Sequence, residues 1–245
     1  MRKMCRMFML AGDYSEDLPR IFESLKDAAY DDWVYHNVYK KKISHDDGWG
    51  YAVLGKDSVH YDRIYKPVYE CDLPDLPGSG IMIMHARKAA DGEPLGPLNC
   101  HPHHRSDSSL DAYLSHNGAF DKRKIGDILG VDSVDGQTDS EFFLELLLSR
   151  KGTVLEKIRS SISDMHDLDL VKSTGNIFLI YRDKLNGEQG AYYYSTAKTQ
   201  NEYTSLYLIR GRDWSGVFSS TIVKSKYFPD SHKPEKVPMD VLFLL

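Results

Sequence analysis

The order of the predicted secondary structure constrains the fold of this chain more than any other feature. Short apolar runs predict strands at 5–10, 48–54, 59–65, 81–84, 177–181, 191–194, 206–210 and 217–219, and two helices are predicted between them at about 139–148 and 154–165. Strands on both sides of a helix pair predict sheets covered by helices. This pattern leaves open how the layers stack.

Local capping residues support the helix predictions. Ser15 can cap a helix that runs to about residue 29. Thr138-Asp139-Ser140-Glu141 matches the S/T-x-x-E capping box and opens an apolar segment. Thr153 follows Gly152 and can cap the second helix of the pair. The two helices are therefore predicted to be separate and adjacent.

Composition limits the classes of protein to which the chain can belong. It has 245 residues, 41% of them hydrophobic, and no linker or repeat divides it, so we expect a single domain. A net charge of −5 without a basic run argues against nucleic acid as a partner. No apolar run reaches membrane-spanning length. Three scattered cysteines form no disulfide framework, which predicts a cytoplasmic, reduced location.

Four widely separated positions carry groups that suit the chemistry of an amino-acid amide. Cys5 supplies a thiol nucleophile, and Arg87 offers a planar fork for a carboxylate. Asn117-Gly118 can supply amide and backbone N–H donors to an oxyanion. Asp139 is an acid that can bind an ammonium group or stabilise the start of a helix. Glutamine carries a carboxylate, an ammonium and a side-chain amide, so it matches the whole set.

The same stretches carry a family resemblance. They are Met4-Cys5-Arg6, His45-Asp46-Asp47-Gly48-Trp49-Gly50, His85-Ala86-Arg87-Lys88-Ala89, Asn99-Cys100-His101-Pro102, His116-Asn117-Gly118 and Thr138-Asp139-Ser140-Glu141. In this order they resemble class II glutamine amidotransferases, most closely the stand-alone branch that consists of the glutaminase domain alone. The resemblance extends from residue 5 to about residue 145 and weakens afterwards.

The resemblance implies a fold, a reaction and roles for residues. The fold would be the α+β, four-layer αββα sandwich of N-terminal nucleophile hydrolases. The reaction would be hydrolysis of glutamine to glutamate and ammonia through a thioester, without cofactor or metal. Cys5, Asn117 and Gly118 would be catalytic. Arg87 and Asp139 would bind the amino-acid end of the substrate. His85 is grouped with them as a residue that orients the end of its strand.

The sequence departs from the family pattern at two places. Residues 1–4 precede Cys5, whose α-amino group must be free if it is to act as the base. We therefore expect a mature domain of residues 5–245, with Met4 as a possible true start. Ala90-Asp91 stands where many family members carry Thr-His. Any contact made by those side chains is in question here.

Other interpretations remain open from the sequence. Asn117-Gly118 also matches a hairpin turn, and Cys5 could be a small core residue. Cys100, His101, His103 and His104 are clustered, but their spacing fits no standard zinc site. The substrate could be another γ-glutamyl amide, or the chain could be a non-catalytic binding module if residues 1–4 remain. An unidentified synthase subunit is a possible acceptor of the ammonia.

Overall fold

The computed structural model describes residues 4–134, 137–229 and 233–245. Residues 1–3 of the upstream extension thus lie outside the described residues. In the described part, two antiparallel sheets lie at the centre of the molecule. No helix in this part is long and apolar enough to cross a membrane.

The first sheet contains seven strands of the described chain, in the order β11-β9-β10-β1-β4-β2-β3. Their bounds are β1 Arg6–Asp13, β2 Trp49–Leu54, β3 Val59–Ile64, β4 Ser79–Ala86, β9 Leu206–Arg210, β10 Trp214–Ser219 and β11 Glu235–Lys236. The central strand β1 pairs with β10 on one side and β4 on the other. This pairing places the start of β1, next to Cys5, beside the end of β4, next to Arg87.

The second sheet contains five strands of the described chain, in the order β12-β8-β7-β6-β5. Their bounds are β5 His103–Ser106, β6 Leu110–Phe120, β7 Val171–Asp183, β8 Gln189–Tyr194 and β12 Leu242–Leu244. The long pair β6 and β7 forms the middle of this sheet. Asn117 lies near the end of β6, opposite Asn176 of β7.

Helices cover the outer faces of the two sheets. Their bounds are α1 Leu18–Tyr30, α2 Trp33–Tyr39, α3 Lys122–Leu129, α4 Asp139–Ser149, α5 Val154–Asp167 and α6 Ser220–Val223. Apolar residues of α1 and α6 share a core with the first sheet. Residues of α3, α4 and α5 share another core with the second sheet. The four-layer αββα arrangement predicted from the resemblance is confirmed.

Strict alternation along the strands produces the layers. In β1, Phe8 and Leu10 face the helices, whereas Met7 and Met9 face the second sheet. In β7, Phe178 joins the layer between the sheets and Ile177 the layer below α4 and α5. Both faces of each central strand are buried, so apolar residues occupy consecutive positions. The continuous apolar runs in the sequence reflect this double burial.

One predicted cap is wrong and one predicted capping box is incomplete, because Ser15 and Glu141 bind other partners. Ser15 does not cap α1, since its hydroxyl donates to Asp13 Oδ1 at 2.7 Å and the helix begins at Leu18. Thr138 does cap α4, but Glu141 does not complete the capping box there. Its carboxylate accepts from Arg105 at 2.6 Å instead. The complete box occurs at the next helix, between Thr153 and Glu156.

Candidate active site

Cys5 lies directly before β1 and is held by the second sheet. Its N–H donates to Asn117 Oδ1 at 2.8 Å, and Asn117 Nδ2 donates to the Cys5 carbonyl at 2.7 Å. Arg6 Nη1 donates to the same carbonyl at 2.9 Å. One side-chain amide therefore fixes both backbone groups of the candidate nucleophile. This contact joins two residues that are 112 positions apart.

The thiol of Cys5 is buried against the backbone of Lys88. The Lys88 N–H donates to Sγ at 3.3 Å. Burial raises the pKa of the Cys5 thiol, although the Lys88 hydrogen bond and the nearby charges of Arg87 and Arg6 oppose the rise. A thiol with a raised pKa is a weak nucleophile at neutral pH. An adjacent base is therefore needed for attack.

Asn117-Gly118 is not a hairpin turn. Both residues lie within β6, and the register with β7 shifts just after Gly118. Gly118 has φ +153°, and a Cβ there would overlap the Thr174 carbonyl oxygen. Glycine is thus required both by the backbone conformation and by the close approach of β7. The irregularity directly follows Asn117, whose side chain binds Cys5.

Arg87 and Asp139 line the same small cavity as Cys5 and Asn117, with a volume of about 70 Å³. Arg87 is buried and donates through Nη2 to the Pro94 carbonyl at 3.0 Å. Its Nη1 has no hydrogen-bond partner among the described residues. A buried donor without a partner costs free energy, so this guanidinium is suited to bind an anionic ligand group.

Asp139 is the first residue of α4 and already binds backbone donors. Its Oδ2 accepts from Phe120 N–H at 2.6 Å, and its Oδ1 accepts from Ser140 N–H at 2.9 Å. A carboxylate oxygen can accept more than one hydrogen bond, so an ammonium group can share these oxygens. The carboxylate is held in place before any ligand arrives.

His85 does not line this cavity in the described chain, but it supports a residue that does. Its ring packs on His101 with centroids 4.3 Å apart, and His101 lines the cavity. His103 continues the row at 4.6 Å and is 2.9 Å from Thr138 Oγ1. Burial lowers the pKa of His85 to about 3 and that of His101 well below its usual range, so both rings are neutral at pH 7. A substrate-binding role for His85 stays a prediction.

The clustered cysteine and histidines make other contacts in the part of the chain described. No group of three or more His, Cys, Asp or Glu side chains there is arranged to hold a metal ion. Cys100 instead faces backbone carbonyl oxygens, among them that of Asp47 at 3.7 Å. The row of histidine rings acts as packing beneath the cavity.

A buried ionic network behind Cys5 escaped the sequence analysis. Arg6 and Asp32 are fully buried and paired through Nε and Oδ2. Asp32 also accepts from Thr221 at 2.7 Å and lies 3.0 Å from His45 Nε2. Burial opposes ionisation, but Arg6, His45 and Thr221 together hold the pKa of Asp32 well below its usual range. The only sequence signal was a charged residue next to Cys5 at the start of an apolar strand.

Replacement of Arg87 and Asp139 tests their role in binding the amino-acid end of the substrate. We expect Arg87→Lys to lower kcat/KM on glutamine about 10- to 100-fold, mainly through KM, because a point charge cannot reproduce two parallel charge-assisted hydrogen bonds. Asp139→Lys should be at least as harmful because it repels the substrate ammonium. The exposed Arg123→Lys is the matched control. Near wild-type kcat/KM in both cavity variants would mean that the amino-acid end binds elsewhere.

Truncation of Asn117 tests the oxyanion role. We expect Asn117→Ala to lower kcat about 10²- to 10³-fold with a much smaller effect on KM, because the oxyanion exists only along the reaction path. Asn176→Ala is the matched control, since Asn176 is equally buried and directly opposite on β7. Steady-state kinetics of both variants decide the question. A change confined to KM would contradict a transition-state role for Asn117.

Comparison with known proteins gave structural neighbours only. No family model and no curated protein matches this chain. Among solved structures, glutamine phosphoribosylpyrophosphate (PRPP) amidotransferase from B. subtilis, complexed with ADP and GMP, has a TM-score of 0.68 at 14% identity over 98% of this chain and 47% of that chain. An allosteric regulatory enzyme of purine biosynthesis has a TM-score of 0.66 at 16% identity over 98% and 46%.

These neighbours confirm the fold implied by the motifs. The shared architecture is that of the amidotransferases with an N-terminal nucleophile hydrolase fold. The chain spans about half the length of each neighbour. At such low identity the likeness establishes the fold and not the reaction.

Proposed function

We propose that this chain is a cysteine amidohydrolase that cleaves the side-chain amide of glutamine to glutamate and ammonia. The observation that carries the proposal is the convergence of Cys5, Asn117, Arg87 and Asp139 on one small cavity. These residues come from both sheets and from the start of a helix. Together they match the thiol, oxyanion, carboxylate and ammonium interactions that glutamine requires.

The proposed reaction begins with proton transfer from the Cys5 thiol to its own α-amino group. A free α-amine has a pKa near ~7.7–8, whereas burial raises the pKa of the thiol. The amine can accept the proton because it belongs to the same residue as the thiol and lies directly beside it. The thiolate attacks the amide carbon, and the tetrahedral oxyanion forms near Asn117 and Gly118. The amine returns the proton to the leaving nitrogen, and ammonia departs from a thioester. Water then hydrolyses the thioester to glutamate.

Binding at the amino-acid end would fix the substrate for this attack. Arg87 would hold the α-carboxylate and Asp139 the α-ammonium. One positive and one negative side chain would select a free amino acid over a peptide, because only a free amino acid carries both an ionised α-carboxylate and an ionised α-amino group. In the resting chain Asn117 Nδ2 binds the Cys5 carbonyl. We therefore expect the Asn117 side-chain amide to reorient during the reaction. It and the Gly118 backbone N–H would then both donate hydrogen bonds to the oxyanion.

The comparison limits the proposal to amide cleavage. The B. subtilis neighbour is named as acting with PRPP, but this chain covers only 47% of it. We propose no phosphoribosyl transfer by this chain. The ammonia is either released or passed to a synthase partner, which the described residues do not identify. A second substrate class, other γ-glutamyl amides, is favoured by the surroundings of Met4 described below.

Direct assay of the purified protein tests the function. We expect release of glutamate and ammonia in equal amounts from L-glutamine by protein whose intact mass shows a Cys5 N-terminus. L-asparagine and D-glutamine are the controls, because the first is too short to reach the thiol and the second misplaces its ammonium. If protein that begins at Cys5 releases glutamate from neither glutamine nor any γ-glutamyl amide, the chain is a binding module and the proposal is wrong.

A further inference from the structure

Met4 occupies a well-formed pocket next to the candidate nucleophile. Its side chain is 4% exposed and belongs to an apolar cluster with Val34, Tyr35, Ile43 and Tyr203. The Tyr203 hydroxyl accepts from the Met4 N–H at 3.1 Å and donates to the Met4 carbonyl at 2.8 Å. We call this cluster the Met4 pocket. A single methionine is thus held by both its side chain and its backbone.

The Met4 pocket continues into the catalytic cavity. Met4 itself lines that cavity together with Cys5 and Arg87. No wall therefore separates the two spaces once Met4 has left. Departure of Met4 opens a path from the Cys5 nitrogen to an apolar recess.

The walls of the pocket are held by contacts that do not involve Met4. Tyr203 packs edge-on against Tyr35 and Tyr39, with centroids 5.0 and 5.7 Å apart. The Arg6 guanidinium lies 4.0 Å from the Tyr203 ring centroid on another side. These contacts remain when Met4 is removed, so we expect an open pocket and not a collapsed one. A buried apolar cavity that cannot collapse has affinity for apolar groups.

The reaction chemistry determines what can enter this pocket. In the proposed mechanism the leaving nitrogen takes its proton from the Cys5 α-amino group, so it must lie within hydrogen-bond distance of that nitrogen. The Met4 carbonyl carbon is bonded to the same Cys5 nitrogen. The space vacated by Met4 therefore begins where a substituent on the leaving nitrogen would begin. Glutamine has no such substituent and leaves the space empty.

We propose that the vacated Met4 pocket binds the N-substituent of a γ-glutamyl amide whose amine carries an unbranched apolar or thioether chain. This inference rests on the proposed amidohydrolase function and names its substrate class. The length of the occupant follows from the methionine side chain, and its apolar character from the cluster that surrounds it. The Thr174 hydroxyl, which donates to the Met4 sulfur at 3.7 Å, suits a thioether at the same depth. A charged end would lose its hydration among these apolar side chains. Cleavage adds water and yields glutamate and the free amine.

A substrate series tests the inference on protein that begins at Cys5 by intact mass. The amides are L-glutamine, γ-L-glutamyl methylamide, the n-butylamide, the tert-butylamide and an amide of the same length that ends in an ammonium. We expect kcat/KM for the n-butylamide to exceed that for the methylamide about tenfold or more, as expected for burial of additional methylene groups. The branched and charged amides should show no such gain.

Pocket-filling variants assign the preference to the Met4 pocket. Val34→Phe narrows it from α2, and Ile43→Phe narrows it from the segment after α2, so failure of one variant to fold leaves the other. Either should reduce the ratio of kcat/KM for n-butylamide to that for glutamine about tenfold, in line with loss of the same buried apolar area. Val59→Phe, at an exposed position on β3, is the matched control and should keep the ratio.

The possible outcomes distinguish failure of the Met4-pocket inference from failure of the proposed function. Cleavage of glutamine with equal kcat/KM for the methyl and n-butyl amides would overturn the inference and leave the proposed function intact. Full activity in a chain that retains Met4 would also overturn it, because the pocket is then filled. Absence of hydrolysis of every amide by protein that begins at Cys5 would end the proposed function and this inference with it.

Discussion

Cys5→Ala should abolish glutamate release from glutamine while the protein stays folded. The thiol lines the same cavity as Asn117 and Arg87, and in the proposed mechanism it is the attacking group. Without it no thioester forms, and we expect a rate no higher than the uncatalysed background. Truncation of one small buried side chain should lower the free energy of unfolding by only about 1–2 kcal/mol. Glutamate release and denaturant unfolding are measured on the same preparation.

Two further variants show whether the loss is specific to the nucleophile. Cys5→Ser keeps nearly the same shape but replaces the thiol with a weaker nucleophile, so we expect a loss almost as large. Cys71→Ala removes a thiol that lies far along the chain beside the Pro67 carbonyl, and it should leave activity unchanged. Glutamate release by Cys5→Ala would rule out Cys5 as the nucleophile.

A chain that retains residues 1–4 should be inactive. With Met4 attached, the Cys5 nitrogen is a planar amide without a basic lone pair, and its N–H is bound to Asn117 Oδ1. The thiol then lacks its base, and general-base assistance is typically worth about 10²- to 10⁴-fold in rate. Met4 also fills the space beside the nucleophile. Loss of the base and obstruction of the site act together.

N-terminal variants decide this prediction. A chain that starts at Met4 should be processed to a Cys5 terminus and become active. A chain with residues 1–4 behind an N-terminal tag that resists cleavage should fold but release no glutamate. Intact-mass spectrometry and the glutaminase assay are run on each sample. Full activity in a chain shown by mass to retain residues 1–4 would refute the N-terminal nucleophile mechanism.

Sequence patterns were sufficient for elements whose stability is local or whose faces are both buried. The strand predicted at 206–210 coincides with β9, and Thr153 caps α5 as expected. Prediction failed where polar side chains had a choice of partner. The sequence predicted Ser15 as the cap of the first helix. In the structure Asp17 precedes that helix, and its Oδ2 accepts a hydrogen bond from Trp214 Nε1 of a distant strand at 2.9 Å. Helices α2 and α3 were missed because each is short and only partly apolar.

The candidate site was likewise only partly predictable from the sequence. The chemical types of Cys5, Arg87, Asn117 and Asp139 could be read from the chain, since a thiol, a guanidinium, an amide and a carboxylate have distinct reactivities whatever the fold. That these residues lie close together could not be predicted from the chain, because Cys5 and Asn117 are brought together by packing of one sheet on another. The same is true of the Asn117-Gly118 pair, which locally resembles a turn and becomes a strand irregularity only beside β7.

The sequence by itself determined the apolar runs of the central strands, the paired helices α4 and α5, and the inventory of reactive groups. These follow from side-chain periodicity and chemistry, which need only near neighbours along the chain. Only the tertiary structure decided the partners of Arg6, which pairs with Asp32, and of Met4, which binds Tyr203. Such contacts join residues far apart in sequence, and no local pattern encodes them, because their free energy arises only when the layers pack and exclude water.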